Sequence, residues 1–236
     1  MTPSTLVERI EAVRKRVDSA ARSVGRDPGA VQIIAVSKTF PADRVLEASQ
    51  CGLQVFGENR IQEAEAKISA VREAAPGLEW HLVGSLQRNK AARAAELFSV
   101  IHSLDRTSLA DALARAAAKL DRRIRVLLQV NIDREEQKGG ALPENVPGLL
   151  AHVDTLDGLD PLGFMAIPRL VPGPEGVRPA FARMRELRDS LNGDRPPSRQ
   201  LRILSMGMSS DFELAIREGA DWIRIGSAIF GERSRE

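Results

Sequence analysis

Apolar residues recur along this chain in two rhythms. Leu6, Ile10, Val13, Val17 and Val24 fall at helical spacing and predict a leading amphipathic helix ending near Gly25. Beyond it, short apolar runs alternate with helical patterns. The runs are "VQIIAVS", "LQVFGE", "WHLVGS", "SVIHSL", "IRVLLQVNI", "PLGFMAI", "LRILSMG" and "WIRIGS". Between them lie patterns such as "PADRVLEASQCG", "RIQEAEAKISAVREAA" and "RTSLADALARAAAKLD". A nearly continuous apolar run such as Val31 to Val36 suits a strand buried on both faces, as in a parallel sheet. Eight such strands with intervening helices imply right-handed crossovers and close into a barrel rather than an open sheet. The predicted fold is α/β: one (β/α)8 TIM barrel domain over residues 1–236, with an extra helix in front. "AIPRLVPGPEGVRP" and "NGDRPPSRQ" read as surface loops, and no Ser/Gly linker divides the chain.

Composition narrows the function. The 236 residues approach the ~250 typical of such barrels. The net charge is only +2, and aromatic residues make up 4%, so neither a basic face nor stacking platforms for nucleic acid are expected. The single cysteine, Cys51, excludes a disulfide framework and reads as a half-buried thiol near a helix end. The three histidines share no metal-ligand spacing, so no metal is expected. No apolar run approaches ~18 residues, and the N-terminus lacks the marks of a leader. A reduced, cytoplasmic protein without a membrane span is the expectation.

In a barrel of this kind the C-terminal strand ends build the site. Here they carry Lys38, Asn59, Gly84, Ser85, Ser103, Asn131, Met165, "SMGMSS" and "RIGS", which are expected to converge on one mouth. The last two loops offer small residues and then a helical pattern, which predicts a phosphate cradle of backbone N–H groups, with hydroxyls from Ser205, Ser209 and Ser227. Ser209, Ser210 and Asp211 also read as simple helix caps. Three roles are open to Lys38: a snorkelling surface lysine, a phosphate clamp, or a Schiff-base amine activated in an apolar mouth. A ligand carrying both a phosphate and an aldehyde satisfies the last two, and pyridoxal 5′-phosphate carries both.

"AVSKT", "FGEN", "WHLVGSLQRNK", "LQVNI", "GFMAIP", "LSMGMSSD" and "IRIGSAIFG", in that order from about Val31 to the end, resemble the YggS/PROSC family of pyridoxal phosphate homeostasis proteins. The resemblance implies a barrel of the alanine-racemase N-terminal type holding pyridoxal 5′-phosphate as an internal aldimine. It implies Lys38 as the Schiff-base lysine. It implies Ser205, Met206 and Gly207 with Gly226 and Ser227 around the phosphate, Arg224 facing the pyridine nitrogen, and Asn59 and Met165 lining the cofactor. Ser227 stands where threonine is common, and "QKGG" replaces a K-S-G pattern.

An arginine at the pyridine nitrogen disfavours pyridinium and weakens the electron sink that pyridoxal enzymes need. Racemases of this barrel type add a tyrosine base from a separate C-terminal domain. This chain contains no tyrosine, and no such domain is expected after the eighth strand. The expected role is a cofactor carrier in vitamin B6 homeostasis, with no catalytic residue and with pyridoxal-phosphate-dependent apoenzymes as recipients. A weak racemase or lyase is the alternative, and a Schiff-base aldolase would lack the yellow chromophore. His81 reads as a core histidine, while Trp80 and Trp222 are expected between barrel and helices. Asn89, Lys90 and Lys138 read as rim residues, with partner or aldehyde contact as a minority role. A monomer is expected, with pairing through the leading helix the alternative.

Overall fold

A computed structural model describes residues 5–169 and 174–232. Residues 170–173 of the predicted "AIPRLVPGPEGVRP" loop lie outside the described residues. The strands are β1 (Gln32–Val36), β2 (Val55–Glu58), β3 (Glu79–Leu82), β4 (Val100–Leu104), β5 (Ile124–Val130), β6 (Leu159–Ala166), β7 (Ile203–Ser205) and β8 (Trp222–Ile225). They pair in sequence order, all parallel, and β8 closes on β1 through Gln32–Trp222 to Ala35–Ile225. Each predicted apolar run overlaps one of them, with β3 starting one residue and β6 two residues ahead of its run. The helices are α1 (Leu6–Arg22), α2 (Ala42–Gln50), α3 (Ile61–Val71), α4 (Ala91–Leu97), α5 (Thr107–Lys119), α6 (Val146–Asp154), α7 (Arg178–Asn192), α8 (Phe212–Arg217) and α9 (Ser227–Phe230).

Side-chain alternation sorts each strand into an outer and an inner row. The outer row, including Ala35, Phe56, Trp80, Leu128, Phe164, Leu204 and Ile223, joins the helices in one large apolar core. The inner row is smaller and more polar. Val100, Leu127 and Met165 form a separate cluster with Leu162, Ile203 and Trp222. Above it lie His81, His102, Ser205 and Arg224, all buried. Trp80 packs outward beside Phe56, as expected. Trp222 does not: it stacks on His81 and His102 inside the barrel, because it shares its parity with Arg224. The cysteine is free and half-buried at the end of α2.

The leading helix begins at a capping box in which Thr5 and Glu8 answer each other's backbone N–H. Its buried face is Leu6, Ile10, Val13, Val17, Ala20 and Ala21. It ends at Arg22, so Val24, expected on that face, lies beyond the helix and is exposed. Gly25 then takes a left-handed φ of 69° and stops the chain from continuing helically. The helix packs on α8 and α9. Arg16 grips Glu213 with two bonds of 2.8 and 2.7 Å and lies over the Phe212 ring. Arg9 Nε donates to Ile229 O at 2.7 Å. The helix thereby braces, from outside, the two elements that follow β7 and β8.

A second brace stands behind the end of β1. Lys67 of α3 is buried and donates to Ser37 O, Glu58 Oε1 and Glu63 Oε1 at 2.6, 2.7 and 2.7 Å. Ser37 Oγ donates to Glu58 Oε1 at 2.6 Å, and Thr39 N–H donates to Glu63. Burial pushes the Glu58 carboxyl up, against the Lys67 and Ser37 hydrogen bonds. Thr39 holds a φ of 69°, uncommon for a β-branched residue, and such strain persists only where neighbours over-determine it. Residue 38 is thus fixed between a bonded Ser37 carbonyl and a bonded Thr39 amide.

Replacing Lys67 by methionine leaves Glu58 as an uncompensated buried acid. We expect a loss of about 3–5 kcal/mol in urea unfolding, with the Lys67→Met/Glu58→Gln pair recovering most of it. A loss below about 1 kcal/mol in the single variant would refute the brace.

Candidate functional site

The C-terminal mouth of the barrel holds a cavity of about 340 Å³. Its walls include Lys38, Asn59, Arg224, Gly226 and Ser227, together with Ser209 and Ser210 from the loop after β7. Val36, Phe40, Val83, Ile167 and Met208 supply an apolar lining. Its volume falls in the small-molecule range. A larger cavity of about 510 Å³ lies at the N-terminal face, by Leu159, Ile203 and Trp222. There Arg195 is spent on a two-bond pair with Asp154, and no lysine lines it. That face of a barrel ordinarily serves stability, so the chemistry belongs to the other mouth.

Lys38 is half-buried, two residues beyond the inward-facing Val36. Arg224, also inward-facing, is the charged group at the cavity floor. Its Nη1 donates to Ser205 O and Ser205 Oγ at 2.7 and 2.8 Å, and its Nη2 to Ala166 O at 2.9 Å. Among the described residues, no acceptor takes its Nε–H. Burial pulls its pKa down to about 10, with the Asp211 charge opposing, so the guanidinium stays protonated at neutral pH.

The two loops after β7 and β8 are stitched together. Ala228 N–H donates to Ser209 Oγ at 3.2 Å, and Met208 N–H to Asp211 Oδ1 at 2.6 Å. Asp211 occupies the first position before α8, as one of the predicted caps, but bonds back to Met208 rather than into the helix. Two glycines there differ in kind. At Gly207, φ is 92° and an added Cβ would meet Ala215 Cβ at 2.6 Å, so this glycine belongs to the packing of α8. At Gly226, φ is −108° and an added Cβ would meet nothing nearer than Val36 O at 3.4 Å. The backbone does not require a glycine at 226, yet that residue walls the cavity.

The expected strand-end residues therefore divide. Lys38, Asn59, Arg224, Gly226, Ser227, Ser209 and Ser210 share the cavity. Met165, Ser205 and Met206 are fully buried, and they and Gly207 do not line it. Ser205 Oγ is held by Arg224 and by His102, below the mouth rather than in it. Gly84 and Ser85 face a neighbouring hollow that shares Asn59 and includes Lys90. Asn131 clamps the loop after β5 through Glu135 and Lys138. Lys138 reaches Pro168 O at 2.8 Å and Glu135 at 2.5 Å, on the rim outside the cavity. Ser103 is buried, and its hydroxyl has no partner among the described residues. Phe40, Val83 and Ile167 were not anticipated; each lies one to four residues past its strand, where apolar residues carry no chemical signature.

Comparison with known proteins accords with this geometry. Residues 9–234 match the family described as "Alanine racemase, N-terminal domain". The pyridoxal phosphate homeostasis protein of Pseudomonas aeruginosa is 44% identical over 98% of this chain and 96% of its own. That of Aquifex aeolicus is 43% identical over 96% and 97%. The solved structure of PipY from Synechococcus elongatus with PLP bound is 38% identical, covers 96% of this chain and 100% of its own, and superposes with a TM-score of 0.84. An alanine racemase from Clostridium difficile, 13% identical with a TM-score of 0.70 over 97% of this chain and 58% of its own, shares the fold alone. No helix among the described residues is long and apolar enough to cross a membrane. With a braced lysine and a pinned arginine on one barrel mouth, and near-full-length identity above 40% to such relatives, the chain belongs to the pyridoxal phosphate homeostasis protein family.

Proposed function

We propose that this protein binds pyridoxal 5′-phosphate in the cavity at the C-terminal mouth and acts in its homeostasis as a carrier, without turning over a substrate. The observation that carries the reading is the shared cavity of Lys38, Arg224 and Gly226. The ligand supplies an aldehyde, a ring nitrogen acceptor and a phosphate. Lys38 presents the amine for the aldehyde. Arg224 presents an Nε–H that no described residue accepts, which suits the ring nitrogen. Gly226 leaves room for the phosphate beside Ser227, Ser209 and Ser210, with Asn59 on the flank. Met165, Ser205, Met206 and Gly207 serve from beneath: Met165 fills the inner row, Ser205 holds Arg224, and Gly207 seats α8.

The same arginine argues for holding over catalysis. Arg224 keeps its own proton at neutral pH, so it donates to the ring nitrogen and does not protonate it. Proton abstraction from a bound amino acid then lacks a strong electron sink. No tyrosine is present in the chain to act as a second base. Pyridoxal-phosphate-dependent apoenzymes are the natural recipients of a cofactor held this way.

Purified protein loaded with pyridoxal 5′-phosphate should be yellow, absorbing in the violet, and borohydride followed by peptide mapping should place the label on the peptide containing Lys38. Label chiefly on Lys90 or Lys138 would sink the assignment. Gly226→Val should weaken retention of the ligand at least about tenfold by filling the cavity wall, while the thermal midpoint moves little. Unchanged retention there contradicts the proposed phosphate position. For the carrier role, the α-proton of L-alanine should exchange in heavy water no faster with the loaded protein than with free pyridoxal phosphate. Exchange at the pace of a true racemase restores the enzyme reading.

A further inference from the structure

Below Arg224 the barrel axis holds a polar chain that the proposed function does not use. At the N-terminal end, Arg125 Nη2 donates to Glu79 Oε1 at 2.5 Å. His81 Nε2 lies 3.2 Å from the same oxygen. His81 Nδ1 lies 3.0 Å from His102 Nε2, and His102 Nδ1 lies 3.1 Å from Ser205 Oγ. Arg224 Nη1 completes the chain, donating to Ser205 Oγ at 2.8 Å. Trp222 packs against both imidazoles, with ring centroids 5.1 and 5.4 Å away. Both histidines are buried, at 2% and 0% exposure.

The two ends dictate the direction. The hydrogen bond from His81, and Arg125 beside it, hold the Glu79 carboxyl down at about 2, so Glu79 only accepts and His81 Nε2 carries hydrogen. A guanidinium only donates, so Ser205 Oγ accepts from Arg224 and its own proton is left to donate. With any extra proton placed on His81, the imidazole beside Glu79, two proton arrangements satisfy both ends. In the first, both imidazoles are neutral with hydrogen on Nε2. Every bond then runs one way, from Arg224 through Ser205, His102 and His81 to Glu79. In the second, one extra proton sits on His81. His81 Nδ1–H then donates to His102, His102 Nδ1–H donates to Ser205, and the Ser205 proton loses its acceptor. Glu79 favours the second arrangement. Arg125 near His81 and Arg224 near His102 oppose it, and Asp211 offsets only Arg224. Burial decides, since a charged imidazole in the axis lacks water.

We infer that Glu79, His81, His102 and Ser205 form a one-directional hydrogen-bond relay whose neutral state positions Arg224 at the cavity floor, and that one proton taken up by the relay reverses it. His81 and His102 are positioning residues in this scheme. Burial holds the pKa of His81 below the ordinary histidine range, and that of His102 well below it. The neutral relay is therefore the state at neutral pH. The consequence for pyridoxal 5′-phosphate rests on the function proposed above; the relay itself does not.

The unloaded full-length protein tests the relay directly. With three histidines in the chain, long-range proton–nitrogen spectra can be assigned by single variants. His81 and His102 should both be neutral Nε2–H tautomers at pH 7, each titrating with a midpoint below about 6.5. Hydrogen on Nδ1 of either neutral ring, or a doubly protonated ring at pH 7, overturns the proposal. As pH falls below about 6.5, the unfolded chain binds these protons before the folded one, so stability must drop with acidification. In the loaded protein, His102→Leu removes the Ser205 acceptor and should weaken pyridoxal phosphate retention roughly tenfold, with an altered pH profile. His102→Asn keeps an acceptor near the Nδ1 position and should restore retention to within about threefold of the parent. Leucine behaving like the parent, or asparagine no better than leucine, refutes the positioning role. If His102→Leu does not fold, Ser205→Ala takes its place: the same loss is expected, and unchanged retention overturns the proposal. A parent that binds no pyridoxal phosphate removes the function proposed above, while the tautomers still decide the relay.

Discussion

A guanidinium buried on the axis of a barrel is the constraint from which the rest of this mouth follows. Arg224 is 5% exposed, and no carboxylate among the described residues bonds to it directly. A buried charge costs several kcal/mol unless its N–H groups are answered. Here two carbonyls and a hydroxyl answer them, drawn from the ends of β6 and β7. Those strand ends must therefore sit in one register. The residue at 205 must offer an acceptor on both main chain and side chain, and the remaining N–H groups, Nε–H among them, are left for acceptors in the cavity. A buried arginine with donors to spare is a site awaiting a ligand with a matching acceptor.

The cavity residues are held from behind by groups that never reach it. α1 grips α8 and α9 through Arg16, Arg9 and an apolar face, and so steadies the loops that carry Ser209, Gly226 and Ser227. Lys67, Glu58 and Glu63 hold the peptide groups on either side of Lys38. A strained Thr39 sits within that clamp. Stability and site geometry are therefore coupled here, and substitutions in the braces should move both.

What was legible in the sequence depended on how local the signal is. Eight apolar runs separated by helical patterns are local signals, and each run overlaps a strand. Lys38 stood out because a charge ends an apolar run. Trp222 was misplaced although the alternation in "WIRI" already put it on the same row as Arg224. Parity is a better guide to the barrel interior than residue size. Ser205 reads as a phosphate donor from its loop, yet its hydroxyl is taken by two partners distant in sequence, which no loop pattern reveals. His81 and His102 lie 21 residues apart with no motif between them; only adjacent parallel strands bring them to 3.0 Å. Val24 extended the apolar rhythm of α1, but backbone conformation at Gly25 outranked it.

The barrel axis also bears on why such a mouth would hold a cofactor rather than drive chemistry with it. Catalysis on a pyridine ring calls for a proton donor that yields its proton to the ring nitrogen as charge develops. Arg224 has no tendency to yield one at neutral pH, and behind it the relay ends at neutral imidazoles, with a carboxylate held ionised at the far face. Every hydrogen along that line points away from the cavity. The resting arrangement therefore has no mobile proton to lend to the ring. It leaves Nε–H for the ligand and commits three other donors to protein acceptors. Such an arrangement suits a bound ligand with a basic nitrogen, which is what the carrier role proposed above needs.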